Sequence, residues 1–501
     1  MFKKILIANR GEIAVRVMRA CREMDIESVA VYSTIDRDAL HVQIADEAVC
    51  IGEAPANESY LNIDAIIMAA KKTGAEAIHP GYGFLSENYL FAERCEKEGI
   101  VFIGPNSKAI KLVGDKVASR EVTEKAGIPL IPGMKGTITD AADGIAQAEK
   151  IGYPVLLKAS AGGGGKGMHI INSENEVQSA VESGMREAKS AFGDPSVYLE
   201  KYIEQPRHIE FQVLADNHGN AIHLFERECS IQRRHQKIVE ETPSVALDDD
   251  LRRRMGETAL KVVEISGYTN AGTVEMLLDI NNNYYFLEVN ARLQVEHPVT
   301  EMVVGIDLVH AQIRIAAGEK LWLKQADLKQ NGHAIECRIY AEDPENNFLP
   351  SAGKILYMKE PTGPGVRHDC GIYSGYEVSV YYDPILSKLV TWAPNREVCC
   401  KRMVSALKDF PILGIKTGIE FLRETVSHPE FIAGNTYTDF INKNMPSWKP
   451  QSGENILDEA LIAAAAYSKY GKKGSGYSAK TTEMPSPWQQ IGDWQIASGM
   501  V

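Results

Sequence analysis

The first hundred residues alternate short apolar runs with stretches of helical periodicity. A β-rich run at 5–8 gives way to a stretch with Ile13, Val17, Ala20, Cys21 and Met24 on one helical face, and a second β run follows at 29–32. The alternation continues with a helix around 62–73, a strand into Ile78, a loop at 79–84, a helix after Glu87 and a strand at 101–103. This predicts a parallel α/β layer over residues 1–113. A second block opens at Gly114-Asp115-Lys116 and changes character after Gly152-Tyr153-Pro154, where strands become linked by hairpins. Ile209, Phe211 and Val213 alternate with His208, Glu210 and Gln212, and the turn at 216–220 leads into a strand at 221–228, an antiparallel signature. A helix over 250–266 precedes a hairpin over 273–290, and a third, mixed block occupies 331–446. The expected class is therefore α/β followed by α+β, with one parallel and two mixed blocks. The remaining 447–501 hold an Ala-rich helical stretch at 457–468, a Gly/Ser/Lys segment and Pro485-Ser486-Pro487-Trp488.

A chain of 501 residues, 44% hydrophobic and 24% charged, is long enough for about three domains and rich enough in apolar side chains to fill their cores. Its net charge of −13 means that any phosphate must be held locally, and the basic excess common in nucleic-acid proteins is absent. The eight cysteines form no C-x-x-C pair and read as reduced core thiols. No run approaches ~18 uninterrupted apolar residues, and residues 1–5 lead directly into a strand pattern, so a cytoplasmic enzyme with no membrane or nucleic-acid partner is expected.

Residues 159–168 read Ala-Ser-Ala-Gly-Gly-Gly-Gly-Lys-Gly-Met. The G-x-G-x-x-G match at Gly162, Gly164 and Gly167 is not a dinucleotide fingerprint, because strand patterns lie on both sides and the helix signature, Ser173 with Glu176, comes later. Lys166 is followed by Gly167, which excludes a Walker A loop. A glycine-rich hairpin tip remains, able to bring backbone N–H groups close to a polyphosphate as a lid, with a plain surface turn as the alternative.

In the hairpin 273–290, pairing Asp279 with Tyr284 makes opposed positions sum to 563, so that Glu275 faces Glu288, with Asn290 and Arg292 on Glu288's side. Two facing carboxylates beside an amide call for a cation, and hard oxygen ligands suit Mg²⁺ or Mn²⁺. Arg292 and Glu296 follow, a guanidinium able to grip an anion and a carboxylate able to take a proton. Residues 232–237, Gln-Arg-Arg-His-Gln-Lys, read as a basic turn.

Together these segments resemble the biotin carboxylases, a branch of the ATP-grasp superfamily, over about the first 446 residues. The resemblance is carried by Ile7-Ala8-Asn9-Arg10-Gly11-Glu12-Ile13-Ala14, by His79-Pro80-Gly81-Tyr82-Gly83-Phe84-Leu85-Ser86-Glu87-Asn88, by Gln232 to Lys237 and by the run from Glu288 to Met302. It implies an N-terminal domain (1–113), an ATP-grasp domain (114–330) with a mobile lid at about 131–204, a C-terminal biotin carboxylase domain (331–446) and an extension (447–501).

It further implies that ATP is held by Lys116, Lys158, Gly162, Gly163, Gly164, Gly165, Glu200, Lys201, Tyr202, Ile203, His208, Gln232, His235, Glu275, Leu277 and Glu288. By the same resemblance Glu275, Glu288 and Asn290 hold the metal, and Lys237, Arg292, Gln294 and the Val295 backbone bind bicarbonate. Catalysis falls to Arg292, Glu296, Lys237 and Arg338, the last facing the biotin enolate. Biotin would arrive as a substrate on a carrier chain and leave for a carboxyltransferase subunit, because neither partner's signature is present: Met134-Lys135 and Met358-Lys359 lack the flanks of a biotinylated turn. A homodimer is the family expectation. The extension resembles tails on stand-alone pyruvate carboxylase subunits, with acetyl-CoA or another acyl-CoA as the alternative acceptor.

Overall fold

The computed structural model describes residues 1–160 and 168–450, with the side chains of Lys116, Val117 and Phe192 left out. The glycine loop at 161–167, the Ala-rich stretch, Trp488 and Trp494 therefore lie outside the described residues.

The N-terminal periodicity folds as expected. Strands β1 (Lys4–Ile7), β2 (Glu27–Ser33), β3 (Glu47–Gly52), β4 (Ala77–His79) and β5 (Val101–Phe102) form one parallel sheet in the order β3-β2-β1-β4-β5. Strand β3 was not among the expected strands. The connecting helices begin and end on local chemistry: Asn62 and Asn88 accept hydrogen bonds from Ala65 N and Phe91 N at the N-caps of Ile63–Thr73 and Tyr89–Glu98. Gly74 and Gly99 close the same helices in the left-handed region, each at φ 70°. Helix Gly11–Glu23 buries the predicted face, from Ile13 to Cys21.

Strands β6 (Val155–Ala159), β7 (His169–Ile171) and β8 (Val197–Lys201) form a separate antiparallel sheet, β7-β6-β8, packed by helix Glu174–Phe192. Its core, Met134, Val155, Leu157, Val177 and Leu199 among others, is drawn wholly from residues 134–199. The Ser173–Glu176 signature marks the helix start, but not as a reciprocal capping box. The Ser173 side chain caps nothing, and Glu176 accepts instead from Asn172 N at 2.9 Å.

Strands β9 (Arg207–Ala215), β10 (Ala221–Arg233), β11 (Gln236–Thr242), β12 (Asn270–Leu278), β13 (Tyr284–Asn290) and β14 (His333–Tyr340) belong to an eight-stranded antiparallel sheet. Its order is β13-β12-β9-β10-β11-β14, continued by Ile385–Ala393 and then Val366–Cys370. Strands of the second and third sequence blocks thus share one hydrogen-bonded ladder, joined where β11 pairs with β14. Among the described residues no helix is long and apolar enough to cross a membrane. All eight cysteines are free; seven are buried and Cys50 is exposed, so the core-thiol reading fails at that one position.

Candidate active site

The eight-stranded ladder aligns charged residues across several strands. Glu288 faces Glu275, Glu275 faces Glu210, and Glu210 faces Arg227, on β13, β12, β9 and β10 in turn. The predicted facing of Glu275 and Glu288 is present, although the turn is not the one that led to it. Tyr284 pairs with Leu278, one residue short of Asp279, and a bulge between the Met276–Phe286 and Glu275–Glu288 pairs restores the sum of 563.

His208, Glu210 and Gln212 of β9 are buried like their apolar neighbours, Glu210 and Gln212 being fully so. Alternation in sequence cannot distinguish a solvent-facing strand surface from one buried against charge. Arg227 compensates them: its guanidinium donates to Glu210 (2.6 Å), Gln212 (2.7 Å), Thr273 (3.0 Å) and Thr300 (3.0 Å). Neither Glu210 nor Arg227 was singled out as a site residue from the sequence; they pair with each other across the β9–β10 hairpin, and their other partners, Lys237, Thr273 and Thr300, come from elements farther along the chain.

Lys237 lies at the centre. The chain returns at Arg234 and His235, both in the left-handed region (φ 49° and 65°), so that Gln232 pairs with Lys237 across a two-residue turn. The Lys237 ammonium donates to Glu210 (2.5 Å), Glu275 (2.7 Å) and Glu296 (2.7 Å). Burial alone would lower its pKa; the three carboxylates overcome this and hold it well above the usual value. Glu296 is fully buried, which would raise its carboxyl, but Lys237, Arg338 and Arg227 keep it well below the ordinary range. Glu275 behaves likewise, depressed by Lys237 and His208 against its burial, with His208 Nε2 3.1 Å away.

Arg292 reaches Asn290 Oδ1 at 3.0 Å and Gln294 Oε1 at 3.1 Å, while its Nε donates to Glu87 at 2.9 Å. Glu87 also accepts from Ala291 N at 2.9 Å, so it fixes both backbone and side chain at the start of this loop. It lies in the quoted His79 to Asn88 segment, which was the available signal. Gln294 donates to Glu275 at 3.2 Å, and the Val295 carbonyl accepts from buried Lys388 at 3.2 Å. Arg338 bridges Glu296 (2.9 Å) and Glu240 (2.6 Å).

The nucleotide set is dispersed. Lys158 and Glu200 pair with each other on β6 and β8, in the smaller sheet, while Lys201 donates to the carbonyls of Gly152 and Tyr153 at 2.9 Å each. Tyr202 and Ile203 follow β8. His208 and Leu277 face each other on β9 and β12, His208 lies 3.2 Å from Gln232, and His235 is exposed on its turn. Lys116 opens helix Lys116–Lys125. Gly162, Gly163, Gly164 and Gly165 fall outside the described residues. For the metal, the facing carboxylates of Glu275 and Glu288 are hard oxygen donors on adjacent strands, a donor set that fits Mg²⁺ or Mn²⁺.

A Lys–Glu–Arg chain over an antiparallel sheet, preceded by a parallel α/β layer, is consistent with the ATP-grasp ligase class that the sequence resembles. The comparisons make the class specific. The family described as "Biotin carboxylase, N-terminal domain" matches residues 1–110, "Carbamoyl-phosphate synthase L chain, ATP binding domain" matches 115–324, and "Biotin carboxylase C-terminal domain" matches 336–443. A biotin carboxylase of Nostoc sp. is 54% identical over 442 residues, 88% of this chain and 99% of its own. The pyruvate carboxylase subunit of Methanothermobacter thermautotrophicus is 53% identical over 443 residues, 88% and 90% of the two chains. The mitochondrial propionyl-CoA carboxylase alpha chain of Homo sapiens is 48% identical over 503 residues, 99% and 69%. Among solved structures, biotin carboxylase from Campylobacter jejuni superposes with TM-score 0.85 at 49% identity, covering 89% of this chain and 99% of its own. The biotin carboxylase domain dimer of Hydrogenobacter thermophilus 2-oxoglutarate carboxylase, in complex with MgADP, ADP and bicarbonate, gives 0.84 at 51%, covering 88% and 98%. The chain belongs to the biotin carboxylase family, and its activity is that of a ligase.

Proposed function

We propose that the Lys237–Glu296–Arg338 chain is the point at which this enzyme activates bicarbonate with ATP and carboxylates biotin presented by a separate carrier polypeptide. The observation that carries the reading is the doubly held Glu296, whose two oxygens are bound by Lys237 and Arg338. Lys237, Arg292, Gln294 and the Val295 backbone bind bicarbonate, and Glu296, kept ionised by its cations, takes the bicarbonate proton. Lys237 neutralises charge on the γ-phosphate as it passes to bicarbonate, forming carboxyphosphate. CO₂ is released next to biotin, phosphate takes the ureido proton, and Arg338 stabilises the enolate that captures CO₂.

Glu275, Glu288 and Asn290 are the residues that would hold Mg²⁺ or Mn²⁺, which when bound supplies charge neutralisation for the nucleotide phosphates. Lys116, Lys158, the 162–165 glycines, residues 200–203, His208, Gln232, His235 and Leu277 complete the ATP site, with 131–204 as its lid. A separate small core at 134–199 supports treating that segment as a body.

The partners are a biotinylated carrier, a carboxyltransferase and a second copy of this chain; the Hydrogenobacter domain, solved as a dimer, supports the last. The tail supports pyruvate as the acceptor through its resemblance to two-component pyruvate carboxylases. A second reading, an acyl-CoA acceptor, is supported by match length: the human propionyl-CoA relative aligns across 99% of the chain, the Methanothermobacter pyruvate relative across 88%. The test is bicarbonate-dependent ATP hydrolysis with and without free biotin or a biotinylated carrier. Stimulation by biotin is expected; no stimulation would hand the site to another carboxylate-activating ligase. Purification of the native chain with its biotinylated companion, followed by assay with pyruvate and with acyl-CoA, separates the two acceptors.

A further inference from the structure

Behind Arg338 lies a second pair of facing carboxylates to which no role has been given. Glu240 on β11 and Glu336 on β14 are direct cross-strand partners, and both are fully buried. One oxygen of Glu240 accepts from Arg338 Nε at 2.6 Å; the other, and both oxygens of Glu336, are buried without a hydrogen-bond partner. The nearby cations are committed elsewhere. Arg338 spans Glu240 and Glu296, and Lys388, facing Arg338 from strand Ile385–Ala393, is bound to the Val295 carbonyl and to Glu12 (3.1 Å).

An ionised Glu336 here would be a bare anion in a low dielectric beside a second one, which proteins avoid by retaining a proton. A neutral Glu336 has one O–H to donate. Its direct cross-strand partner, Glu240, holds an acceptor oxygen that is otherwise orphaned.

We infer that Glu240 and Glu336 share one proton, carried by Glu336 and donated to Glu240, and that this bond anchors Glu240 as the seat of the Arg338 guanidinium. Glu336 is then a positioning residue for biotin carboxylation, an inference that rests on the role proposed for Arg338. Burial and the Glu240 charge push Glu336 well above the carboxylate range. Burial raises Glu240 to about 7, Glu296 adding to it and Arg338 opposing. The two titrate as a pair. The other charged groups around them are Glu296, Lys237, Lys388 and, on helix His297–Val304, His297 and Glu301. His297 is bound to the Gln294 carbonyl at 2.8 Å, and Glu301 to Arg16 and Arg367. Loss of the shared proton at alkaline pH puts a second negative charge behind Arg338 and draws its guanidinium away from the enolate.

The test uses the full chain with Glu336→Gln, the isostere of the neutral acid, and Glu336→Ala. Infrared spectra at neutral pH should contain a protonated-carboxyl band that Glu336→Gln removes; an unchanged band pattern would overturn the proton's placement, whatever the activity. Biotin-dependent turnover should fall about tenfold or more in Glu336→Ala, as expected when a reacting group loses its support, with bicarbonate-dependent ATPase spared. Glu336→Gln should rescue that loss to within about threefold and abolish the alkaline limb of the pH profile. A Gln variant as impaired as Ala, or one that keeps the alkaline limb, would sink the inference. If Arg338→Ala leaves biotin carboxylation intact, the reading of Arg338 fails separately, and the infrared band still decides the shared proton. Should Glu336→Ala not fold, the Gln variant and the spectrum decide.

Discussion

Glu296 shows how much one residue depends on its surroundings. With one oxygen bound by Lys237 and the other by Arg338 it stays ionised, and each of those cations is itself bound to further carboxylates. An arriving bicarbonate competes for charge already present and needs no new desolvation of a lone group. Arg338 tests the division of labour. Arg338→Ala removes the group proposed to face biotin but leaves Lys237, Arg292 and the Glu87 clamp, so biotin carboxylation should drop about ten- to hundredfold, the worth of a charge-assisted hydrogen bond. Bicarbonate-dependent ATPase should survive; parallel loss of both activities would contradict the assignment. Glu288→Ala and Lys116→Ala form a second comparison. Loss of the carboxylate proposed to hold the metal should cost more in kcat/KM for ATP than the roughly ten- to hundredfold expected for the lysine proposed to bind phosphate, and equal losses would count against the proposed metal geometry.

At the scale of elements, the strands and helices are where the sequence was most informative. Period-two and period-3.6 patterns located the first parallel layer and the hairpins, because burial of one face writes those periods into the chain. The facing of Glu275 and Glu288 was legible for a partly accidental reason: the assumed turn pairing was off by one residue and the Leu287 bulge cancelled the error. What periodicity could not reveal was that the charge on the legible β9–β10 hairpin, Glu210 and Arg227, is buried, or which partners Glu240 and Lys388 meet, since contacts between strands far apart in sequence leave no local mark. Lys388 makes the point measurable. It is fully buried, donates to the Val295 carbonyl and pairs with Glu12 at 3.1 Å and Asp369 at 3.8 Å. Lys388→Met keeps the length of the side chain and leaves two buried carboxylates with less compensation, so unfolding free energy should fall by about 3–5 kcal/mol. A denaturant midpoint within error of the parent would show the network to be dispensable. Gly371 gives a steric counterpart: a Cβ there would lie 2.4 Å from the Glu12 backbone nitrogen, which ties the start of helix Gly11–Glu23 to the loop after strand Val366–Cys370.

Over the whole molecule these buried groups fall into two sets with opposite pH signatures. Burial would raise Glu241, but the hydrogen bond from His333 and the Arg396 guanidinium overcome it and bring it down to about 2; Glu275, Glu296 and Asp369 are depressed by their cations in the same way. For this set the folded pKa lies below the unfolded value of about 4–4.5, so the unfolded chain binds more protons at acid pH. Their stabilisation is complete above about 4.5 and is lost as pH falls towards 2. Glu12 is raised by burial to about 7, and the Glu240–Glu336 pair retains its shared proton, so here the folded chain binds the extra protons. Their contribution is complete below about 4.5 and is lost as pH climbs through 7. The unfolding midpoint plotted against pH should therefore pass through a maximum in the weakly acidic range, with a steep acid side set by several carboxylates and a shallower side towards alkaline pH. Glu241→Gln isolates one contributor: at pH 7 it should be less stable than the parent, and the gap should close as the pH approaches 2, where the parent's Glu241 is also losing its charge. A gap that stays constant across that acid range would show that the His333 and Arg396 contacts stabilise the fold without drawing on the carboxylate charge.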